Sequence, residues 1–382
     1  MVEFNTRVVH ISKDDQIDNG SKTTPIYQTS AFQSKSLEEL ESFYTGDKRY
    51  LYSRIDNPNT NELGRAVAEI EGAKAGVATS SGMSAILIAF LAVLKPGDHL
   101  VACWDLYGGT YQLITEELSD FGIQSTLVDF SNLNEVEKAT QPNTKLLFSE
   151  SITNPLLRVE NIAGLAALAK AHQLVTIIDN TFASPYLRQP FLQGADLVVH
   201  SATKYIGGHS DVTAGVVVGR ADLVEKAKTK GVHLGTTLSP FEAWLASRGL
   251  KTLSVRMERQ VSNAASLAAY LKTRQEIKHV YYPELINGKG QSAIVTIELN
   301  DQFVDLSLFF KSLSWVKIIA SLAGVETTVS HSTTTSHRAL PKELCDKLGI
   351  NQNVIRISVG IEDEKDIIQA FEEAILKASK KA

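Results

Sequence analysis

Leu174-Val-Thr-Ile-Ile-Asp179-Asn180-Thr181 and, shortly after it, Ala195-Asp-Leu-Val-Val-His200-Ser201-Ala202-Thr203-Lys204-Tyr205 are two apolar runs that each end in chemically capable side chains. Val, Ile and Leu at nearly every position mean burial on both faces, the mark of a strand inside a parallel sheet covered by helices. The same kind of run recurs upstream as Gly76-Val-Ala-Thr-Ser80, His99-Leu-Val-Ala-Cys-Trp104, Gln124-Ser-Thr-Leu-Val-Asp-Phe130 and Lys145-Leu-Leu-Phe-Ser149, and downstream as Ala214-Gly-Val-Val-Val-Gly219. Helical patterns at Met83 to Leu94, Thr110 to Phe121 and Ile162 to Ala171 separate early members, the spacing of βαβ units. The pattern predicts an α/β fold whose large domain holds a mostly parallel, seven-stranded sheet. The last two runs are joined only by the lysine segment and a short connection, which predicts one antiparallel edge pairing.

Three regions follow from the change in pattern. Residues 1–53 are polar and turn-rich, with Asp14-Asp15, Asn19-Gly20 and Pro25 but no long periodic segment, and read as an arm that packs on the rest of the chain or on another subunit. Residues 54–246 form the large domain. Residues 247–382 form a small C-terminal α+β domain, entered by a long helix pattern from Phe241 to Leu271. Its strand candidates are Ala293 to Leu299 and Val354 to Val359. A helix from Glu364 to Ala378 closes it, and Lys377 to Ala382 read as a solvated tail.

Composition narrows the function. The 382 residues carry a net charge of -5 with dispersed basic side chains, which gives no footprint for nucleic acid or for an anionic membrane. No run approaches the ~20 apolar residues of a membrane span, and the start lacks the apolar core of a signal peptide, so a cytoplasmic enzyme is expected. Cys103 and Cys345 have neither disulfide nor metal spacing and read as ordinary thiols; no metal is expected.

In open α/β sheets ligands gather outside the carboxyl ends of the strands, and four such places carry polar residues. In Ser80-Ser81-Gly82-Met83-Ser84 a strand turns into a helix whose first amides suit a phosphate, or are capped as in any βα turn. Asp179 ends a buried strand and requires a cationic partner or several donors; a protonated pyridine nitrogen is one such partner, capping of the next turn the other use. Lys204 follows Ser201 and Thr203 and precedes Gly207-Gly208, so hydroxyls and open backbone surround an amine able to form a Schiff base with an aldehyde. Otherwise it is a surface lysine in a loop. Arg356, in Asn353-Val-Ile-Arg356-Ile-Ser-Val359, is a buried cation whose planar fork matches a substrate carboxylate or an internal ion pair.

As a set these residues resemble the Cys/Met-metabolism family of fold-type-I pyridoxal-phosphate enzymes, which includes cystathionine γ-lyases, γ-synthases and β-lyases and methionine γ-lyases. The resemblance runs from Thr24-Pro-Ile-Tyr-Gln-Thr-Ser30 to Arg356-Ile-Ser-Val-Gly360. It takes in Tyr52-Ser53-Arg54, Asn57-Pro58, Ser81-Gly82-Met83, Tyr107-Gly-Gly-Thr110, Thr153-Asn154-Pro155, Asp179-Asn180-Thr181, Ser201-Ala-Thr-Lys204 and Ser321-Leu322. It implies pyridoxal 5'-phosphate as cofactor, held by Lys204, with Asp179 on the pyridine nitrogen and Tyr107 stacked on the ring and active in proton transfer. It also implies phosphate contacts from the Gly82 and Met83 backbone and the Ser201 and Thr203 hydroxyls, and from Tyr52 and Arg54 of an adjacent subunit. A site shared in this way needs at least a dimer, and the resemblance implies a homotetramer as the expected assembly. Arg356, Asn154 and Ser321 are implied to hold the carboxylate of a sulfur amino acid, with Ser336 as a further substrate-binding residue.

The expected reaction is γ-elimination from cystathionine, with β-elimination, γ-synthase chemistry and a non-catalytic binding protein on the same fold as alternatives. Three departures bear on it. Ala320 stands where many γ-specific members carry glutamate. Ser336, in His331-Ser-Thr-Thr-Thr-Ser-His337, replaces a threonine. Asn59 stands where threonine is common, a difference of small expected effect. Gly109 occupies the place of the cysteine of methionine γ-lyases, which argues against that specialisation.

Overall fold

The structure is a computed structural model describing residues 3–11, 20–46, 50–283 and 292–380. Asp14, Asp15 and Asn19 of the arm and the last two residues of the tail lie outside the described residues.

All seven runs form strands of one sheet: β1 (Ala75–Thr79), β2 (His99–Cys103), β3 (Gln124–Val128), β4 (Thr144–Glu150), β5 (Val175–Asp179), β6 (Leu197–Ser201) and β7 (Gly215–Gly219), in the order β1-β7-β6-β5-β4-β2-β3. β3, β2, β4, β5 and β6 pair in parallel. The last two runs pair antiparallel as expected, but the expectation that this is one pairing at an edge is corrected. β7 lies inside the sheet and runs antiparallel to both β6 and β1, and β1 takes the edge. The two reversals restore the strand direction, so Thr79 at the end of β1 points to the same side as Glu150, Asp179 and Ser201. Helices fill the connections, and Leu100, Val101, Leu147, Ile177, Ile178, Val198 and Val217 are fully enclosed, which is why these strands read as continuous apolar runs.

The predicted long helix is two helices, Pro240–Leu250 and Leu253–Leu271. The break at Lys251-Thr252 is held by the Arg256 guanidinium, whose Nη2 donates to the Gly249 carbonyl at 2.9 Å while Nε donates to Thr252 Oγ1 at 3.1 Å. The second helix spans two cores. Leu253, Met257 and Val261 join the core of the large sheet, whereas Leu267, Ala268 and Leu271 pack with Val295, Ile297, Ile355, Ile357 and Phe371. That second core lies against a five-stranded sheet of β8 (Ile277–Tyr281), β9 (Ile294–Leu299), β10 (Lys317–Ile318), β11 (Thr328–His331) and β12 (Val354–Ser358), ordered β10-β11-β12-β9-β8. The closing helix is Glu364–Ala378.

Short helices Phe4–Val9 and Leu37–Thr45 stand in the arm. Phe4 and Val8 enter the first core. Asn59 has a larger role than its position suggested: Oδ1 accepts from the Tyr27 amide and Nδ2 donates to the Pro25 carbonyl, both at 2.8 Å. With the Trp244 indole donating to the Thr24 carbonyl at 3.1 Å, this pins residues 24–27 to the large domain.

Candidate active site

A cavity of about 450 Å³ opens where the carboxyl ends of β4, β5 and β6 meet the start of helix Gly82–Val93 and the loops 320–322 and 334–336 of the second sheet. It gathers Gly82, Met83, Tyr107, Asn154, Asp179, Ser201, Thr203, Lys204, Ser321, Ser336 and Arg356. Residues separated by more than 270 positions thus share one wall, because β12 carries Arg356 to the face that the large sheet presents.

Lys204 sits in the turn after β6 with its amine 2.9 Å from Ser321 Oγ. It is not a solvated surface lysine: burial, reinforced by the Arg356 charge, pulls the amine down to about 8. Arg356 is buried, at 3 % exposure, and burial pulls it down to about 10, so it stays charged at neutral pH. Its Nη1 donates to Asn154 Oδ1 at 3.0 Å and its Nη2 to the Ser321 carbonyl at 3.2 Å, while among the described residues Nε has no hydrogen-bond partner. Among the described residues no carboxylate closes an ion pair with it, so the internal salt bridge is not formed.

Asp179 accepts from the Thr181 amide at 2.9 Å, so the turn cap is realised. That cap does not neutralise it. Among the described residues Asp179 makes no ion pair, and burial holds its carboxyl above the usual range. Both uses of the helix start are likewise present. Ser81 and Ser84 form a reciprocal capping box, while the first-turn amides of Gly82 and Met83 have no intrahelical acceptor. Gly82 permits this approach, since a Cβ there would stand 2.6 Å from Ser201 Cβ. The Thr203 hydroxyl is already engaged, accepting from the Ala214 amide at 3.0 Å and donating to its carbonyl at 3.2 Å.

Tyr107 is 42 % exposed at the mouth. Gly109 leaves room for its ring, because a Cβ at 109 would come 2.6 Å from Tyr107 Cε1. Ala320 also lines the cavity. Ser336 Oγ meets His337 Nδ1 at 2.9 Å, and the other ring nitrogen meets the Asn154 carbonyl at 2.9 Å. Burial pushes His337 down to about 4, so the ring is neutral and Nε2 carries the proton that the carbonyl accepts.

Tyr52 and Arg54 are not in this cavity. Arg54 donates to the Val232 carbonyl at 3.0 Å and lies over the Tyr52 ring at 5.6 Å, at a separate small pocket beside Lys228. The lining also includes Thr181, from the motif Asp179-Asn180-Thr181, and Glu150, Ile152 and Phe182, which the sequence did not single out. Glu150 had a signal, a carboxylate ending a buried strand as Asp179 does.

The residues present fit pyridoxal phosphate: a buried amine of lowered basicity, a carboxylate without an ion pair among the described residues in the same cavity, and a helix start with open amides. Among the described residues no helix is long and apolar enough to cross a membrane, and no cluster of side chains suits a metal ion. The family described as Cys/Met metabolism PLP-dependent enzyme matches residues 5–376. A cystathionine β-lyase of Lactococcus lactis subsp. cremoris is 38% identical, with 99% of this chain and all of that protein covered. A cystathionine γ-lyase of Bacillus subtilis is also 38% identical, with 97% and 98% covered. Among solved structures, a cystathionine γ-lyase from Lactobacillus plantarum complexed with L-serine superposes with a TM-score of 0.92 at 36% identity, covering 99% of this chain and all of that one.

Proposed function

The chain belongs to the Cys/Met metabolism PLP-dependent enzymes, and from that premise we propose that it is a carbon–sulfur lyase cleaving L-cystathionine by γ-elimination to cysteine, 2-oxobutanoate and ammonia. One observation carries the amino-acid lyase part of the reading, whichever carbon–sulfur bond is cleaved. The Lys204 amine and the Arg356 fork meet at Ser321, the first on its hydroxyl and the second on its carbonyl, so an amino acid held by its carboxylate presents Cα to the amine. Pyridoxal phosphate, when bound, supplies an aldehyde that captures amines and a protonated ring that draws electrons from Cα. Lys204 would hold that aldehyde and, as the free amine, would take the proton from Cα. Asp179 would pair with the ring nitrogen. The Gly82 and Met83 amides and the Ser201 and Thr203 hydroxyls would hold the phosphate, and Tyr107 would lie on the ring and move a proton at the leaving sulfur. Arg356, Asn154 and Ser321 hold the substrate carboxylate, and Ser336 holds His337 beside them.

The decisive measurement is the keto acid released from cystathionine. 2-Oxobutanoate supports γ-cleavage, whereas pyruvate means β-elimination and overturns it. Ala320 gives β-cleavage its support, since no acidic side chain stands there to take the distal amine. Ala320→Glu is therefore expected to raise the ratio of 2-oxobutanoate to pyruvate several-fold, and an unchanged ratio removes this position from substrate selection. Cystathionine formed from cysteine and an acylated homoserine would instead identify a γ-synthase.

Tyr52 and Arg54 belong, in this reading, to the active site of a neighbouring subunit of a cytoplasmic homotetramer. Arg54→Ala then removes a charged phosphate contact worth about 1.5–3 kcal/mol, and the cofactor dissociation constant is expected to rise roughly tenfold to a hundredfold. Titrating the apoprotein with pyridoxal phosphate checks this; an unchanged constant means that Arg54 serves only its own chain.

A further inference from the structure

Glu150 has no part in the chemistry above, yet its carboxyl group ties two of the loops that build the site. Oε1 accepts from the Tyr107 amide at 2.7 Å and Oε2 from the Asn154 amide at 3.1 Å. Tyr107 lies in the loop after β2 and Asn154 in the loop after β4, so one side chain fixes the distance between the phenol at the mouth and the carboxylate pocket. Asn154 is then held at three atoms: its amide by Glu150, its carbonyl by His337 and its Oδ1 by Arg356. Glu150 itself sits at the end of β4 in register with Asp179 on β5, and is 5 % exposed. A brace of the fold alone needs no such site. A carboxylate placed beside Asp179 is unfavourable, as the strongly raised basicity of Glu150 from burial and that neighbour records.

We propose that Glu150 is a positioning residue, setting Tyr107 and the Asn154–Arg356 pocket in one register so that leaving group and carboxylate are engaged together. The inference rests on the reading of Arg356 as the carboxylate anchor. Glu150→Gln preserves volume but offers one acceptor oxygen to two amides and sets an NH₂ against the other. The variant, loaded with cofactor, is compared with wild type for kcat, for the dissociation constant of L-alanine (an amino acid with no leaving group), for visible circular dichroism of the bound cofactor and for the unfolding midpoint.

The expected result is kcat lower by roughly 10²-fold, since small misplacements at a reacting centre have effects of that order. L-alanine binding is expected about tenfold weaker, with altered visible dichroism and an unfolding midpoint close to wild type. Wild-type kcat and L-alanine affinity overturn the proposal, as does a loss that appears only as a lowered midpoint. Should the glutamine protein not fold, Glu150→Asp, which is one methylene too short to span both amides, is expected to lose kcat in the same direction; undiminished kcat there overturns it equally. Arg356→Ala separates the two readings. If it still binds L-alanine as wild type does, the carboxylate pocket is misassigned; if it loses L-alanine while Glu150→Gln keeps it, only the role of Glu150 falls.

Discussion

A Lys204→Ala protein is expected to lose roughly 10³-fold or more in kcat toward cystathionine, the loss of a positioned base alone being worth about 10²–10⁴-fold. It should keep its fold, because the amine makes a single hydrogen bond, to Ser321 Oγ, and no ion pair among the described residues. The pH dependence identifies the cause. An amine reacts only when neutral, and with its value near 8 about one in ten Lys204 side chains is neutral at pH 7, against fewer than one in a thousand for an exposed lysine. Acylation of Lys204 in the apoprotein by acetic anhydride, followed by peptide mass spectrometry, should therefore rise about tenfold per pH unit below 8 and level off above it. Stability responds with the same sign. Between about 8 and the ordinary lysine range the unfolded chain binds a proton that the folded apoprotein does not, so this residue makes stability rise with pH there. Lys204→Ala should lack that increment. A rate of Lys204 acylation still climbing steeply above pH 9 would contradict the buried, lowered amine, and near-wild-type turnover by the alanine protein would remove Lys204 from catalysis.

The strands that bear this lysine were legible because their two buried faces leave little choice of side chain: Leu197, Val198 and Val199 could not be polar where helices cover both sides of the sheet. The order of strands was less so. β7 sits between β6 and β1, pairing Val217 with Val77 on one side and with Val199 on the other, and nothing in the periodicity of Gly215-Val-Val-Val-Gly219 says which partners it takes. The break after Leu250 leaves no mark in the pattern for a similar reason, since the bonds of Arg256 to Gly249 and Thr252 end the helix without any proline. Lys204, Asp179 and Arg356 stood out because each is an ionisable group at odds with an apolar neighbourhood. Glu150 is equally at odds with its strand, but its partners are the amides of Tyr107 and Asn154, and backbone amides leave no trace in a sequence. Tyr52 and Arg54 are the opposite case, conspicuous as a motif but outside the cavity of their own chain.

Arg356→Ala is expected to lower kcat/KM for cystathionine by roughly 10²–10³-fold, the consequence of losing one partner of a buried charge pair worth about 2–5 kcal/mol. Lysine should not rescue it, because a point charge on a flexible stem cannot make the two parallel bonds that a carboxylate accepts from a guanidinium. The effect on stability should run the other way. Arg356 is a buried cation whose hydrogen bonds go to the neutral oxygens of Asn154 and Ser321, and among the described residues its Nε has no hydrogen-bond partner. Burying a charge without a counter-charge is unfavourable, and it lowers the basicity of Lys204 besides. Arg356→Met, which fills much of the volume without the charge, should therefore unfold at the same temperature as wild type or higher while binding L-alanine far more weakly. A residue kept for the fold would show the reverse, a lowered midpoint with binding little changed. Such a result would assign Arg356 to holding β12 against Asn154 and leave the substrate carboxylate to another donor. With the expected result, the buried guanidinium gains a counter-charge when a carboxylate binds, and that gain draws the amino acid to the place where Lys204 can reach Cα.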